Sequence, residues 1–245
     1  MISQLKSKAV KLLLKQQFKP SLLGIFVNPY FIARSGLYHA VQLLGSYIQG
    51  KTLDIGCGQK PYQSLCASSE YIGLELDTKE NRAFKKADFF YDGKILPFDN
   101  ASMDSVVSHQ VFEHIFHPQA FLSEIHRVLK DNGILMLSVP FVWDEHEQPY
   151  DFARYSSFAL NALLKEHGFE IIAFKKSVAN LALIFQLINA YLYKKLFTKN
   201  GYWNQLVCLF IMSPITLLGL SFGKLFPNNP DLYLDNIVVA KKTHA

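Results

Sequence analysis

The amino-acid sequence predicts an α/β fold: a doubly wound, mostly parallel sheet of seven strands with an apolar helical insertion before the last strand. Three observations carry this prediction. Short apolar runs alternate with helix-period segments between Thr52 and Lys175. Ile134 to Val139 is an unbroken apolar run, as in a strand covered on both faces. Carboxylates stand at the ends of successive strand-like runs, at Asp54, Glu75 and Asp92, and open α/β sheets bind ligands at the carboxyl ends of their strands.

Thr52 to Ile55 ends the first strand, and Gly56-Cys57-Gly58-Gln59 is the turn after it. Glycines there let a ligand lie against the main chain, and free N–H groups ahead of a helix offer hydrogen bonds. The turn is a poor dinucleotide cradle, because the G-x-G-x-x-G count puts Pro61 at the third glycine. Asp54, two residues before Gly56, points instead to a ligand with a cationic amine. After a short helical stretch, Glu70 to Asp77 reads as the second strand. An acid at its tip, about 20 residues past the glycines, accepts the hydroxyls of a ribose. Glu75 fits that spacing, with Asp77 as the alternative and Leu76 between them.

Lys86 to Tyr91 is the third strand, followed by Asp92-Gly93, and Met103 to Ser108 is the fourth. A helix from Pro118 to Leu129 turns Phe121, Leu122, Ile125, Val128 and Leu129 to one face. Lys130-Asp131-Asn132-Gly133 stops it, with Gly133 placed as a left-handed cap. Glu170 to Lys175 and Asp235 to Ala240 complete the sheet.

The run LPFDNASMDSVVSHQVFEHIFHP, with FLSEIHRVLKDNGILMLSVP after it, adds further signals in a fixed order. With the D-x-G-x-G turn, it resembles the class I S-adenosylmethionine-dependent methyltransferases, in particular the type 11-like domain group whose members read LPF, acidic turn, strand, LEH and RVLKPGG. The resemblance covers roughly Leu53 to Lys175, about half the chain. It implies a Rossmann-like methyltransferase fold and S-adenosyl-L-methionine as cofactor. The acceptor it implies is an oxygen or nitrogen of a small-molecule, saccharide or lipid-linked compound. On this resemblance Asp54, Gly56, Cys57, Gly58, Glu75 and Leu76 bind the cofactor. Asp92, four residues before LPF, contacts the adenine amino group, and Asp88 takes that place if the third strand ends earlier. Gly93 offers its N–H to the ring, while Ser108, His109 and Gln110 line the methionine and adenine side. A helix from Tyr30 to Ile48 covers the cofactor in such proteins, so Tyr30 or Arg34 is expected to touch it. Two departures stand out: Lys60 replaces a further glycine, and Asp131-Asn132 replaces Pro-Gly. Neither removes a group the cofactor requires.

Charge is segregated along the chain. Residues 1–50 carry six basic residues and no acid, 51–175 carry 12 against 18, and 176–245 carry 7 against 2. An acidic core with basic flanks argues against a nucleic-acid substrate, which requires a basic face around the site. Three cysteines without pair spacing, Cys57, Cys66 and Cys208, point to a reducing, cytoplasmic setting. No secretory signal is legible, because Lys6 to Lys19 lacks a long apolar core and a cleavage site.

The expected organisation is an N-terminal helical region over 1–50, a cofactor-binding core over 51–175, an apolar insertion over 176–232, and a last strand and tail over 233–245. Residues 2–18 form an amphipathic helix with Lys8, Lys11 and Lys15 opposite its apolar face, suited either to anionic lipid or to packing on the domain. Ser177 to Tyr193 and Gly201 to Gly223 contain no charge. The second run is long enough to cross a bilayer, but Pro214 lies near its middle, and Asn180, Gln186 and Asn189 interrupt the first. A packed cap or dimer element, a membrane-contacting hairpin and a true span all remain open. Lys194, Lys195, Lys199 and Lys224 are placed to meet headgroups. Contact with the inner face of a membrane through 1–19 and 177–226, and a homodimer, are therefore the expected associations.

Between the fifth strand and the next helix, Pro140 to Tyr155 gathers aromatics, carboxylates, His146 and Arg154, as an acceptor pocket would. His146 is the candidate general base, or else a hydrogen-bonding pocket wall. Asp151 and Arg154 are expected to pair and hold the loop. The segment HEQPYDFARYSSFALNALLKEHGF is similar to a methyltransferase subgroup linked with cell-envelope saccharide and lipid metabolism. No metal is expected at His109, Glu113, His114 and His117, since spacings of five and three do not make a two-histidine helix face. Two other functions compete with methyl transfer. One is a non-catalytic, membrane-associated interaction protein that keeps the fold. The other is a nicotinamide-dependent oxidoreductase, which Pro61 disfavours.

Overall fold

The computed structural model describes residues 15–243; most of the amphipathic helix expected over 2–18 lies outside the described residues. The chain divides into two units, Ala40–Lys175 with Asp235–Ala245, and Met1–His39 with Lys176–Leu234.

The first unit holds the sheet. Its strands are β1 (Gln49–Ile55), β2 (Ala67–Leu76), β3 (Phe89–Tyr91), β4 (Met103–His109), β5 (Leu129–Pro140), β6 (Phe169–Lys176) and β7 (Asp235–Lys242). They lie in the order β3-β2-β1-β4-β5-β7-β6. Strands β1 to β5 pair in parallel, and β7 runs antiparallel to β5. The chain winds outward from β1 to β3, then crosses back to place β4 on the other side of β1. That reversal opens a crevice at the carboxyl end of β1, where a ligand can enter.

Periodicity explains the core. Leu53 and Ile55 of β1, Val106 of β4, Leu135, Leu137 and Val139 of β5, and Val238 and Ala240 of β7 are buried in one cluster. Helix α1 (Phe31–Leu44) precedes the sheet, α2 (Lys79–Phe84) follows β2, α3 (Pro118–Val128) follows β4, and α4 (Ser157–Glu166) follows β5. Helix α3 buries Phe121, Leu122, Ile125 and Val128, the face its spacing indicates, and Pro lies in its first turn, where no N–H is required. Thr78 caps α2 by accepting from the Asn81 N–H at 3.0 Å, and Ser156 caps α4 from the Ala159 N–H at 3.2 Å.

Local details differ from expectation. The stretch after the glycine turn is only a 3-10 turn, Gln63–Leu65. The third strand is shorter than Lys86 to Tyr91. The left-handed residue after α3 is Asn132, with φ 62°, rather than Gly133. Gly133 is required for space instead, since a Cβ there would lie 2.8 Å from the Lys130 carbonyl oxygen.

The second unit is built on a helical hairpin, α5 (Ala182–Leu196) and α6 (Gly201–Leu225), the latter of 25 residues. Contacts run antiparallel. Gly219 packs on Phe185, Gly223 on Asn180 and Ala182, and the Asn189 side-chain amide donates to Thr216 Oγ1 at 2.9 Å. The residues that interrupt the first apolar run are thus its internal polar contacts. Gln186 accepts from the Ala33 N–H at 3.0 Å and donates to the Pro29 carbonyl at 3.1 Å, serving the first turn of α1. Pro214 is absorbed by a π turn, Cys208–Met212, immediately before it. Helix α6 is long and apolar enough to cross a membrane by length and composition.

Candidate functional site

The tip of β1 sets the site. Gly56 (φ +73°) and Gly58 (φ +53°) both adopt left-handed backbone, which glycine enters without a steric penalty. A Cβ on Gly56 would stand 2.3 Å from Val111 Cγ2, whereas one on Gly58 would meet nothing within 4 Å. The turn is therefore closed on its Gly56 side and open above Gly58. Cys57 contributes only main chain, since its side chain is buried and burial pushes the thiol up to about 12.

Two carboxylates flank this turn. Glu75, nearly buried at the end of β2, accepts the Gly58 N–H at 2.7 Å. The competing Asp77 is held by Arg82 through two hydrogen bonds of 2.6 and 2.8 Å. Glu75 is thus the acid at the cradle. Asp54 is buried and accepts the Tyr71 hydroxyl at 2.8 Å. Burial lifts its carboxyl to about 7, the Tyr71 hydrogen bond opposing. No cation forms an ion pair with it among the described residues. The donor set fits the expected cofactor. A buried acid lacking a cation suits an ammonium, Glu75 suits ribose hydroxyls, and the space above Gly58 admits a ligand against the backbone.

The adenine end is set by β3. Asp88 is committed to Lys60 and to the Gly73 N–H at 2.7 Å. Asp92 lies beyond the strand tip, exposed, and among the described residues accepts the Lys94 N–H alone, at 2.9 Å. Gly93 (φ +84°) is close enough to half-exposed Leu76 that a Cβ would lie 2.9 Å from its Cδ2. At the tip of β4, Ser108 donates to the Ile55 carbonyl at 3.1 Å. His109 rests against the Tyr62 ring and pairs through Nδ1 with Ser138 Oγ at 3.1 Å; burial presses its pKa down to about 4. Gln110 donates to Asp235 at 3.3 Å from a left-handed backbone (φ 56°). Tyr30 and Arg34 belong to the second unit, where Tyr30 meets the Tyr193 ring and Arg34 the Phe18 ring.

The acceptor-side loop is anchored as expected. Arg154 donates to both oxygens of Asp151 at 2.6 Å, and the guanidinium holds that carboxyl well below the usual range. Asp151 also accepts the His146 N–H at 3.0 Å. His146 Nε2 lies 3.8 Å from Glu113, a fully buried carboxylate whose two oxygens have no hydrogen-bond partner in another of the described residues. Burial lifts the Glu113 carboxyl to about 8. Sequence reasoning missed two of these residues as site components. Tyr71 lies mid-strand, and Glu113 enters the sequence reading only in the histidine cluster that its spacing sets aside as a metal site.

Comparison with known proteins places this geometry. Residues 53–137 match the methyltransferase domain model of the type 11 family. A curated protein of Mycolicibacterium smegmatis, named a probable S-adenosylmethionine-dependent methyltransferase, is 30% identical over 132 residues, covering 49% of this chain and 51% of its own. The chain spans between 31% and 51% of the length of the curated relatives it matches. Among solved structures, an S-adenosylmethionine-dependent methyltransferase from Mesorhizobium loti aligns with TM-score 0.52 and 13% identity, over 86% of this chain and all of that one. The [4+2]-cyclase SpnF aligns with TM-score 0.54 and 16% identity, over 87% and 83%. These structural likenesses establish the fold. Residues 53–137 and the strand order around them are thus similar to the class I S-adenosylmethionine-dependent methyltransferases.

Proposed function

We propose that this protein moves the methyl group of S-adenosyl-L-methionine to an oxygen or nitrogen of a small-molecule, saccharide or lipid-linked acceptor. The observation that carries the reading is the pair of buried carboxylates beside the glycine turn, Asp54 without a cation and Glu75 on the Gly58 N–H. Bound there, the cofactor supplies an electrophilic methyl group on a sulfonium sulfur. Asp54 holds the ammonium, Glu75 the ribose, and Asp92 with the Gly93 N–H the adenine. Cys57 and Leu76 contribute main chain and an apolar edge, and Ser108, His109 and Gln110 shape the wall at the β4 tip. In-line positioning supplies most of the acceleration of such a transfer, and a base is required only where the acceptor loses its proton as it reacts. His146 is the candidate proton acceptor, through Nε2, because Asp151 Oδ2 lies 3.2 Å from Nδ1.

Titration calorimetry with S-adenosylhomocysteine tests the cradle, and Asp54→Ala or Glu75→Ala should each abolish measurable binding. Unchanged affinity in both variants would overturn the assignment. Labelled cofactor incubated with a lipid-plus-saccharide extract then separates an enzyme from a non-catalytic protein that keeps the fold, since only the enzyme yields a labelled product.

The second unit supports contact with a membrane surface. Tyr202, Phe210 and Leu225 of α6 are 89%, 69% and 78% exposed. Lys194, Lys195, Lys199 and Lys224 are exposed on the same hairpin. Apolar side chains with basic neighbours are the composition of an interfacial element. A second copy of the chain covering that apolar face is the competing reading, and sedimentation equilibrium in detergent-free buffer separates the two.

A further inference from the structure

Glu113, His114 and His146 bring one ligand atom each to within 4.8 Å of one another. We propose that they form a site for a divalent transition-metal ion, zinc by its donor set, with one coordination position left open. The chain pattern hides the site, because His146 arrives from the loop after β5, whereas Glu113 and His114 sit on a 3-10 turn after β4.

Two of the three donor–donor distances lie near those of a tetrahedral site. Glu113 Oε1 lies 3.8 Å from His114 Nε2 and 3.8 Å from His146 Nε2. Atoms about 2.1 Å from a tetrahedral zinc lie roughly 3.4 Å apart, so small side-chain movements close the difference. Both imidazoles present the correct nitrogen. His114 Nδ1 is 2.7 Å from the Tyr150 carbonyl oxygen, which only accepts, so the proton is on Nδ1 and Nε2 keeps its lone pair. His146 Nδ1 is 3.2 Å from Asp151 Oδ2 and 3.3 Å from the Asp144 carbonyl oxygen, with the same consequence. Arg154 Nη2 is 3.5 Å from that nitrogen, but its two hydrogens go to Asp151 at 2.6 Å and the Asp144 carbonyl at 2.9 Å. A carboxylate or carbonyl behind each imidazole is the outer support that fixes metal-binding histidines.

Glu113 is the second, independent observation. Its side chain is fully buried, and among the described residues neither oxygen has a hydrogen-bond partner in another residue. Buried polar groups are nearly always satisfied, and a dication between Oε1 and the two imidazoles would satisfy this one. Two histidines and a glutamate with an open position is a zinc donor set. Glu147, largely exposed and 4.0 Å from His114 Nε2, marks the solvent side of the open position. Coordination takes the same His146 nitrogen that a general base would use, so the proton-acceptor role given above belongs to the metal-free protein.

The test uses the full chain, stripped with chelator and dialysed against micromolar zinc or cobalt(II). One ion per chain is expected by mass spectrometry, with the intense visible absorption of four-coordinate cobalt and a raised unfolding midpoint. Glu113→Gln and His146→Ala should each weaken binding at least a hundredfold, while His117→Ala, at an exposed histidine outside both sites, leaves it unchanged. Calorimetry with S-adenosylhomocysteine on the same variants reports folding at the other site, so failure of the metal site and failure of the cofactor site are separately visible. No ion bound by the wild-type chain would overturn the inference. Equal occupancy in wild type and both ligand variants would mean adventitious binding and overturn it as well. If a variant fails to fold, the cobalt spectrum and midpoint shift of the wild type still decide.

Discussion

Cofactor affinity should fall as the pH is lowered through neutrality, with Asp54 as the cause. Burial raises its carboxyl to about 7, the hydrogen bond from Tyr71 opposes the rise, the Glu75 charge adds to it, and Lys60 lowers it. A ligand ammonium pairs with the ionised carboxylate, so only that fraction of the protein is competent. The fraction is about 0.9 at pH 8 and about 0.1 at pH 6, and the apparent dissociation constant varies as its inverse. S-adenosylhomocysteine should therefore bind roughly tenfold more weakly at pH 6, a loss of about 1.3 kcal/mol. The sign follows from the direction of the shift. Below about 7 the carboxyl must give up a proton to receive the ligand, so binding releases a proton there and releases none well above it. Tyr71→Phe removes a hydrogen bond to the charged form, which raises the carboxyl further and moves the loss of affinity to higher pH. Asp54→Asn should bind weakly with no pH dependence. Titration calorimetry in buffers of differing ionisation enthalpy measures both affinity and proton release. Wild-type affinity that is constant within twofold from pH 6 to 8, without proton release, would refute the role given to Asp54.

The other predictions concern packing, linkage and surface. Gly56→Ala should destabilise the protein by about 2–4 kcal/mol in denaturant titration, because left-handed strain and the 2.3 Å approach to Val111 act together. In the metal-free protein the Glu113 carboxyl is raised from 4.5 to about 8. The folded state therefore keeps a proton that the unfolded chain releases, and stability should fall between pH 5 and 8 at up to about 1.4 kcal/mol per pH unit. Glu113→Gln should flatten that slope, and an unchanged slope would assign it elsewhere. The chain should sediment with anionic vesicles at low salt and be released at high salt. Phe210→Asp should reduce the bound fraction severalfold, and a protein that stays in the supernatant at both salts leaves only the packed or dimeric hairpin.

What was legible in the sequence is what depends on neighbours in the chain. The β1 strand, the Gly56–Gly58 turn and the apolar face of α3 follow from period and turn chemistry, which act over a few residues. Choices among acids were not legible, because distant side chains make them. Arg82 takes Asp77, and Lys60 with the Gly73 N–H takes Asp88, which leaves Glu75 and Asp92 as the acids proposed above for the cofactor. Asn189 and Gln186 look like interruptions of an apolar run until Thr216 and the first turn of α1 are placed beside them. His146 lies 33 residues beyond Glu113, so no helical spacing relates them.

The two carboxylates with the largest upward shifts, Asp54 and Glu113, stand at the carboxyl ends of β1 and β4, the adjacent pair where the winding reverses. Each is buried, and neither is balanced by an ion pair with a lysine or arginine among the described residues. Near neutral pH both cost the empty fold stability, since the unfolded chain ionises them freely. A protein selected for stability alone would replace them with amides or apolar residues at little structural expense. In the proposed reading their cost is offset by cations, the cofactor ammonium at Asp54 and a metal ion at Glu113. The same electrostatic deficit that makes the empty site destabilising would favour positively charged ligands, and ligand-induced stabilisation that disappears in Asp54→Asn and Glu113→Gln is the expected signature.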